Sequence, residues 1–259
     1  MIKDFVKGMF DITDKVVIIT GATGALGKAL SFGFGHAGAK VMINGRKEAT
    51  LKPVYEEMIA QGIKCSYFVG DPADEESVKG LVAKTVKEFG EINVLVTAAG
   101  FNAPKSIIDH TLEDWQMIMD ANVKGTWLCC KYAGEQMVKQ GKGGKVILVS
   151  SARSKMGMKN YTGYCTAKAG IDLMAQSLAS EWGEHGINVN TFNPTVFRSE
   201  LTEWMFKDDT AKTKFLTRIP AGRLGEPDDF IGTAIFLASA ASNFITGANI
   251  AVDGGYWAN

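Results

Sequence analysis

Two side chains in the second half of the chain have the types and the spacing that proton transfer requires. Tyr164 and Lys168 stand four residues apart, so on a helix they would share one face, about one turn from each other. A neighbouring ammonium group favours the phenolate, which predicts that Lys168 lowers the pKa of Tyr164 from about 10 toward the working pH. A phenol tuned in this way can pass a proton to or from a reacting oxygen atom.

Ser151 supplies a hydroxyl group thirteen residues before Tyr164. It follows an apolar run, residues 146–149, that predicts a buried strand. Its hydroxyl would therefore lie at the carboxyl end of a strand, where open α/β sheets bind ligands. The alternative interpretation is an ordinary amphipathic helix pair beside an ordinary strand end, because Tyr-x-x-x-Lys alone is a weak pattern.

The bulk composition limits the class of protein. At 259 residues the chain is long enough for one α/β domain with a sizeable core, so we expect a single domain over residues 1–259. The 28 acidic and 28 basic side chains balance, so no charge excess favours nucleic acid or an anionic membrane. No apolar run reaches the ~18 residues of a membrane span, and the N-terminal stretch has no signal-peptide core. A cytoplasmic location is the resulting expectation.

The four cysteines and three histidines predict no metal centre. The cysteines show no C-x-x-C spacing, and the histidines are scattered along the chain. We expect reduced thiols and no bound metal.

Strands alternate with helices along the chain, and this alternation predicts the fold. Short apolar runs predict strands at residues 16–20, 40–43, 65–69, 92–96, 145–150, 187–192 and 249–252. Helices are predicted at about 28–37, 48–61, 75–89, 111–140, 161–184 and 227–240. No adjacent strands show a hairpin signature. The pattern predicts a single-domain, doubly wound Rossmann fold of the α/β class, with about seven parallel strands and helices on both faces.

Three glycines between the first predicted strand and the first predicted helix suit a nucleotide. Gly21 would permit a tight turn, while Gly24 and Gly27 would let the backbone approach a pyrophosphate. The amide groups and the dipole of the helix N-terminus favour anions at that point. The alternative is a glycine-rich turn without a ligand, but the position between strand and helix favours nucleotide binding.

The end of the second predicted strand bears on the choice of cofactor. The sequence Asn44-Gly45-Arg46 provides one guanidinium and no carboxylate, which favours NADP over NAD. The alternative is that Arg46 is a solvated residue at a helix start. Asp71 follows the third strand, where it would hydrogen-bond the adenine amino group or serve as a turn residue.

The chain resembles the short-chain dehydrogenase/reductase family over nearly its whole length. The motifs that carry the resemblance occur in the family's order and spacing: Thr20 to Gly27, Asp71, Ala98-Ala99-Gly100, Asn122, Ser151, Tyr164 with Lys168, Asn190 with Pro194, and Asp253-Gly254-Gly255. The chain departs from the family pattern in the glycine loop, where Ala25 replaces a glycine that is moved to Gly24. It also departs at Thr97 and Thr195, where the family usually has Asn and Gly.

The resemblance implies an NAD(P)-dependent oxidoreductase that interconverts a secondary alcohol and a ketone. Tyr164 would be the general acid in reduction and the general base in oxidation. Lys168 would lower the pKa of Tyr164 and hold the nicotinamide ribose. Ser151 would hydrogen-bond the substrate oxygen, and Asn122 would hold a water molecule that links Lys168 to solvent.

The first half of the chain, residues 15–150, is predicted to bind mainly the cofactor, and residues 151–259 to bind the substrate and carry catalysis. The predicted cofactor-binding residues are Gly21, Thr23, Gly24, Ala25, Leu26, Gly27, Arg46, Asp71, Ala99, Gly100, Tyr164, Lys168, Pro194 and Val196. The predicted substrate-binding residues are Ser151, Arg153, Tyr164, Phe197 and Trp204.

Residues 195–216 fall where the family places its mobile substrate lid. Their Phe, Trp and Met side chains either line a pocket or pack the lid down. Arg153 and Lys155 either attract a carboxylate or are solvated loop charges. The segments IPAGRLGEP and AVDGGYWAN are similar to sugar-acid and polyol dehydrogenases of the gluconate and deoxygluconate type. A hydrophobic or CoA-linked alcohol would suit the aromatic lid equally well.

Other functions remain open at this stage. One is a cofactor-binding but inactive subunit of a hetero-oligomer, against which the presence of Asn122, Ser151, Tyr164 and Lys168 argues. Another is a lyase or epimerase, because fold does not determine function. The resemblance also implies a homodimer or homotetramer formed through the helices at 111–140 and 161–184, although packing against the sheet explains much of their apolar surface.

Overall fold

A computed structural model describes residues 6, 8–200 and 202–259, without the side chains of residues 204, 209, 211 and 214. The strands are β1 (Val16–Thr20), β2 (Lys40–Gly45), β3 (Cys65–Val69), β4 (Val94–Thr97), β5 (Gly144–Val149), β6 (Ile187–Pro194) and β7 (Asn249–Val252). They form one seven-stranded sheet in the order β3-β2-β1-β4-β5-β6-β7. Every neighbouring pair is parallel, which confirms the predicted doubly wound sheet.

Helices follow the strands and cover both faces of the sheet. They are α1 (Ala25–His36), α2 (Glu48–Ala60), α3 (Glu75–Phe89), α4 (Leu112–Met119), α5 (Gly125–Gln140), α6 (Thr162–Trp182), α7 (Glu203–Lys207), α8 (Asp209–Leu216) and α9 (Ile231–Ala238). One face of the sheet packs against α1, α2 and α9, and the other against α3, α5 and α6. Within the described part of the chain, no helix has the length and apolar content needed to cross a membrane.

The central strand shows why the chain folds in this way. Every residue of β1 is buried, as expected for a parallel strand that helices cover on both faces. Val17 and Ile19 belong to the core layer beneath α1 and α2, whereas Ile18 belongs to the opposite layer. This alternation follows from the two-residue repeat of an extended strand.

The predicted continuous helix over residues 111–140 is wrong in one respect, because a π-helical turn at Asp120–Lys124 separates α4 from α5. Inside this turn the Asn122 side chain donates from Nδ2 to the Ile118 carbonyl at 2.9 Å. A side-chain amide that takes a helix carbonyl in this way competes with the regular backbone ladder. The irregularity lies beside the candidate site.

The start of α4 is capped by its own side chains. Thr111 Oγ1 accepts from the backbone N–H of Asp114 at 3.1 Å, and Asp114 Oδ2 accepts from the backbone N–H of Thr111 at 3.1 Å. This reciprocal capping box satisfies two backbone donors. Asp114 Oδ2 also accepts from Lys105 Nζ at 2.6 Å, which ties the loop before α4 to the helix.

The C-terminal turn closes a small third core over the ends of β5 and β6. Tyr256 lies buried there with Ala152, Ile219 and Leu224. Partly buried side chains from the loop after Ser151, the segment after β6, α7, α8 and the end of the chain pack around this cluster, namely Met156, Val196, Phe206, Phe215, Leu216 and Trp257. The predicted lid residues therefore lie against the segment that follows Ser151.

Candidate active site

A cleft of about 580 Å³ opens at the carboxyl ends of β1, β2 and β4. Chain order reverses across the sheet between β1 and β4, and open α/β sheets bind ligands at such a switch point. The cleft has the size of a ligand pocket. Its lining includes the predicted cofactor residues Gly21, Thr23, Gly24, Arg46, Asp71, Ala99 and Gly100.

The glycine loop has two positions that only glycine can occupy, Gly21 and Gly27, and one that is left open. A Cβ atom at Gly27 would lie 2.2 Å from the Gly21 carbonyl oxygen. Gly21 has φ +69°, and a Cβ atom there would lie 2.6 Å from the Ala99 backbone nitrogen. At Gly24 the nearest atom to such a Cβ is the Gly21 carbonyl oxygen at 3.5 Å, an ordinary contact. The protein itself therefore does not require glycine at 24, and the missing side chain leaves room for a ligand.

The N-terminus of α1 presents backbone donors to this room. Gly24 is the N-cap, and no side chain caps the first amide groups of the helix. No acidic residue occupies the first turn. Free N–H groups together with the helix dipole fit a pyrophosphate. The family usually has a glycine at position 25, where this chain has Ala25, the first residue of α1. The glycine at position 24 lines the cleft instead.

Asn44 provides an acceptor that sequence reasoning missed. Its Nδ2 donates to the carbonyls of Phe68 at 3.1 Å and Gly70 at 3.0 Å, which fixes the side chain at the end of β2. Its Oδ1 is buried, has no partner among the described residues, and belongs to a residue that lines the cleft. A buried acceptor of this kind fits a ribose hydroxyl donor. Its one sequence signal was its position at the strand end, beside the exposed Arg46.

Tyr164 and Lys168 lie together at the start of α6. Lys168 Nζ lies 5.6 Å from the centroid of the Tyr164 ring, so the two side chains share one face as predicted. Lys168 is buried, and its Nζ donates to the Val149 carbonyl at 2.9 Å, at the end of β5. Burial lowers the pKa of Lys168 to about 8, and the nearby Asp172 carboxylate opposes this effect.

The predicted lowering of the Tyr164 pKa is wrong for this structure. Desolvation of the half-buried phenol raises the pKa of Tyr164 to about 12. A hydrogen bond from the Ser151 hydroxyl and the charge of Arg153 act in the opposite direction, but burial outweighs both. The phenol is therefore protonated at neutral pH in the free protein.

Ser151 lies directly beyond β5 with its hydroxyl already oriented. Its Oγ accepts from the Arg153 backbone N–H at 3.1 Å, in a short 3₁₀ turn over Ala152–Ser154. This bond occupies one lone pair of the oxygen and leaves the hydroxyl proton available. The proton can be donated to Tyr164 or to an oxygen atom of a bound molecule.

Asn122 holds a second unpartnered acceptor near Lys168. Its Nδ2 donates to the carbonyls of Phe101 and Ile118, at 2.7 and 2.9 Å. Its Oδ1 is buried without a partner among the described residues. A Cβ atom at Gly100 would lie 2.9 Å from this oxygen and 3.7 Å from Lys168 Nζ. The Asn122 oxygen and the Lys168 amine therefore lie close to the same side of Gly100. A water molecule there would satisfy the acceptor.

A buried polar network that the sequence did not predict joins these elements. Asp172 lies one turn after Lys168 on α6. Both its oxygens lie within hydrogen-bonding distance of Asn193 Nδ2 on β6, at 3.0 and 3.1 Å, and Oδ2 also accepts from Asn249 Nδ2 on β7. Asn193 Nδ2 also lies 3.3 Å from the Ser151 carbonyl oxygen. The network holds the end of β5 against the helix that carries Tyr164.

The remaining predicted cofactor residues do not line the cleft. Tyr164 and Lys168 adjoin it through Gly100 and Asn122. Val196 lines a second cavity of about 320 Å³, between residues 195–196 and 251–255. The others lie in α1 or at the end of β6, namely Ala25, Leu26, Gly27 and Pro194.

Two of the predicted substrate residues contact other parts of the protein, and the side chain of a third is not described. The Phe197 ring packs edge-on against Phe230, with centroids 5.1 Å apart, so the core accounts for it without a substrate. Arg153 donates from Nη2 to the Tyr256 hydroxyl at 3.0 Å and is not a freely solvated charge. The side chain of Trp204 lies outside the described residues.

The chain is similar to known oxidoreductases over almost all of its length. A family profile described as enoyl-(acyl carrier protein) reductase matches residues 21–257. An uncharacterized oxidoreductase of Mycobacterium tuberculosis is 42% identical over 96% of this chain and 93% of its own. The 2-dehydro-3-deoxy-D-gluconate 5-dehydrogenase of Dickeya dadantii is 34% identical, over 96% and 98%. The L-rhamnose-1-dehydrogenase of Scheffersomyces stipitis is 36% identical, over 96% and 98%.

Solved structures share the fold closely. A gluconate 5-dehydrogenase from Burkholderia cenocepacia, in complex with NADP and tartrate, has a TM-score of 0.94 at 28% identity, covering 98% of this chain and 99% of its own. A short-chain type dehydrogenase/reductase from Mycobacterium marinum has a TM-score of 0.91 at 33% identity, covering 97% and 98%.

Proposed function

The chain belongs to the short-chain dehydrogenase/reductase family, and we propose that it reversibly oxidises a secondary alcohol of a sugar acid with NADP as cofactor. One observation carries the proposal: Ser151, Tyr164 and Lys168 converge at the carboxyl end of β5, beside a cleft that fits a dinucleotide. Relatives named as gluconate and deoxygluconate dehydrogenases support the choice of substrate.

The residues of the cleft would hold NADP in three parts. The free amide groups at the start of α1, with Gly21 and Gly24, would bind the pyrophosphate. Arg46 at the cleft edge would pair with the 2′-phosphate, and Asn44 Oδ1 would accept from a ribose hydroxyl. When bound, the cofactor supplies the hydride-transfer chemistry. Two similar structures that contain NADP support this assignment.

The protein's own groups would move the proton. In alcohol oxidation Tyr164 would accept the hydroxyl proton, and in ketone reduction it would return a proton to the carbonyl oxygen. Ser151 would donate its hydroxyl proton to the reacting oxygen, where charge changes most during the reaction. The Lys168 ammonium group would stabilise the phenolate. A water molecule at Asn122 Oδ1 would connect Lys168 with solvent.

Assembly and location are part of the proposal. Trp127 on α5 and Leu173 on α6 are 48% and 64% exposed, and such apolar side chains on two neighbouring helices suit a homodimer or homotetramer contact. All four cysteines are free thiols, which suits the reducing cytoplasm. Both features support a cytoplasmic homo-oligomer.

The first experiment is a titration of the purified protein with NADPH and NADH, followed by assays at the reduced-nicotinamide absorbance band. The panel contains keto-sugar acids, polyols and hydrophobic ketones, each tested in the direction its functional group allows. We expect tighter binding of NADPH and cofactor turnover with the sugar acids. Cofactor binding without turnover of any alcohol or ketone would contradict the proposed function.

A further inference from the structure

Three cations gather around the aromatic residues of the C-terminal turn. Arg153 Cζ lies 5.4 Å, and Arg218 Cζ 4.8 Å, from the centroid of the Tyr256 ring. Lys155 Nζ lies 4.2 Å from the centroid of the Trp257 ring. Within the described part of the chain, none of these three cations forms an ion pair with a carboxylate. The patch therefore carries uncompensated positive charge.

Neighbouring arginines behave differently. Arg198 in the lid pairs with Glu203 at 3.0 Å and with Glu226 at 3.1 Å. Arg223 makes two contacts to Asp229, at 2.6 and 2.7 Å. Both of these arginines are therefore neutralised by ion pairs. Within the described residues, Arg153 and Arg218 have no such pair, and the one carboxylate of the C-terminal turn, Asp253, accepts from backbone N–H groups.

The aromatic support of these cations is rigid. Tyr256 is 1% exposed, and its hydroxyl accepts from Arg153 Nη2 at 3.0 Å. Trp257 Nε1 donates to the Ala152 carbonyl at 3.0 Å. The Asp253 carboxylate accepts from the backbone N–H groups of Gly255 and Trp257, each at 2.9 Å. The Arg153 guanidinium, held in this way, loses little further freedom when it binds a ligand.

The patch also lies beside the reacting groups. The backbone N–H of Arg153 donates to Ser151 Oγ at 3.1 Å, so the arginine is in direct contact with the catalytic serine. The charge of Arg153 also acts on Tyr164, where it favours the phenolate. Arg218 follows α8, so its contact with the Tyr256 ring places the end of the lid beside Arg153, which contacts the same ring. An anion at this place would contact both the lid and the catalytic segment.

We propose that Arg153 and Arg218 form an anion subsite that binds the carboxylate of the substrate, while its alcohol oxygen lies at Ser151 and Tyr164. This inference rests on the proposed function and assigns the residues that would recognise the carboxylate of its sugar-acid substrate. Both guanidinium groups contact the Tyr256 ring, and a carboxylate that reached both would accept charge-assisted hydrogen bonds from each. Lys155 adds to the attraction. A neutral sugar of the same shape would gain neither the charge attraction nor the charge-assisted hydrogen bonds.

The test measures affinity, so that it does not depend on turnover. D-gluconate and D-glucitol, which differ in the carboxylate, are titrated calorimetrically into the NADPH-loaded protein, where oxidation cannot occur. We expect gluconate to bind more tightly than glucitol. Arg153→Met and Arg218→Met should each weaken gluconate by about 10- to 100-fold, the range for a lost hydrogen bond to a charged group, and glucitol by less than twofold.

Three variants control for unfolding and for general charge. Lys159→Met removes an exposed cation from the same loop, and it should leave both affinities unchanged. Arg153→Lys keeps the charge but loses the planar fork, so gluconate affinity should fall less than in Arg153→Met. Tyr256→Phe keeps the ring but removes the hydroxyl that positions Arg153, and a several-fold loss for gluconate alone is expected.

The outcomes separate this inference from the proposed function. Equal affinity of the wild-type protein for gluconate and glucitol, or equal losses for both in the arginine variants, would overturn the anion subsite. Turnover of neutral alcohols with no carboxylate preference would overturn it and leave the oxidoreductase intact. A carboxylate preference in binding, without turnover of any alcohol, would support the subsite and contradict the proposed function.

Discussion

The Tyr164 phenol is held protonated in the free protein, because burial raises its pKa to about 12. Such a phenol is ready to donate a proton, as ketone reduction requires. Alcohol oxidation needs the phenolate, which Ser151 and the nearby cations stabilise. At the scale of single residues, the pH dependence of alcohol oxidation therefore depends on how far these neighbours offset the burial of one hydroxyl group.

Tyr164→Phe removes the transferable proton and keeps the ring. We expect turnover to fall by at least about 100-fold, the lower range for general acid–base catalysis, in both directions. Cofactor affinity, measured by fluorescence titration with NADPH, should change by less than about twofold, because the variant removes one hydroxyl group and keeps the other predicted cofactor-binding residues. Substantial turnover by this variant would show that another group transfers the proton.

Ser151→Ala removes a hydrogen bond that lowers the pKa of Tyr164. Because this bond stabilises the phenolate, its loss raises the pKa further. The acidic limb of the pH profile of kcat/KM for alcohol oxidation should therefore move to higher pH, with a lower plateau. Ser154→Ala, a hydroxyl in the same turn that contacts Asn193, should leave the limb in place. A lower plateau without a shift of the limb would mean that Ser151 contacts the substrate but does not affect the pKa of Tyr164.

At the scale of elements, the end of β2 brings two groups of different character to the cleft. Arg46 is exposed at its edge, and Asn44 is buried beneath it with a free acceptor. Under the proposed function, the strand end would distinguish NADP from NAD at the adenosine ribose, while the start of α1 would bind the pyrophosphate that both cofactors share. Cofactor selectivity and cofactor affinity would then come from neighbouring elements.

Arg46→Asp replaces the guanidinium with a carboxylate at this strand end. We expect NADPH affinity to fall by about 10- to 100-fold, because charge-assisted hydrogen bonds to the 2′-phosphate are lost and repulsion is added. NADH affinity should change by less than threefold. Lys47→Asp makes the same charge change one residue away, at a position that does not line the cleft, and serves as the control. Equal effects of Arg46→Asp on both cofactors would remove Arg46 from phosphate recognition.

The capping box of α4 makes stability depend on pH. Hydrogen bonds from Lys105 and Thr111 lower the pKa of Asp114 to about 2, from an ordinary value of 3.8. A lowered pKa stabilises the fold above the ordinary value, and this contribution is lost as pH falls through 3.8 toward 2. Asp114→Asn should therefore lower the urea midpoint at pH 7, and the difference from wild type should shrink below about pH 4. A difference independent of pH would mean that shape, and not charge, is what the residue contributes.

At the scale of the whole molecule, the two helical faces of the sheet differ in what they leave exposed. Trp127 and Leu173 project from the face formed by α3, α5 and α6, which is otherwise packed on the sheet. Leu173→Glu should shift the protein toward the monomer in sedimentation velocity, because a charge in an apolar contact is costly. Leu112→Glu, at an 80% exposed residue on α4, is the control. An unchanged sedimentation coefficient for Leu173→Glu would place the contact elsewhere.

The sequence by itself determined the sheet and the position of the central motif. β3, β7 and α3 begin and end where the residue pattern predicted, because the signals for these elements depend on neighbouring residues alone. The shared face of Tyr164 and Lys168 follows from helical spacing in the same way. Family motifs then connected these local patterns to an oxidoreductase, which the comparisons bear out.

Only the tertiary structure decided how the environment acts on those residues. The raised pKa of Tyr164 comes from burial, which spacing does not specify. The network of Asp172, Asn193 and Asn249, and the contact of Arg153 with Tyr256, join residues that lie far apart in the chain. Such contacts arise when strand order and packing bring distant segments together. Residue pattern predicts each segment, and the packed molecule determines which side chains meet.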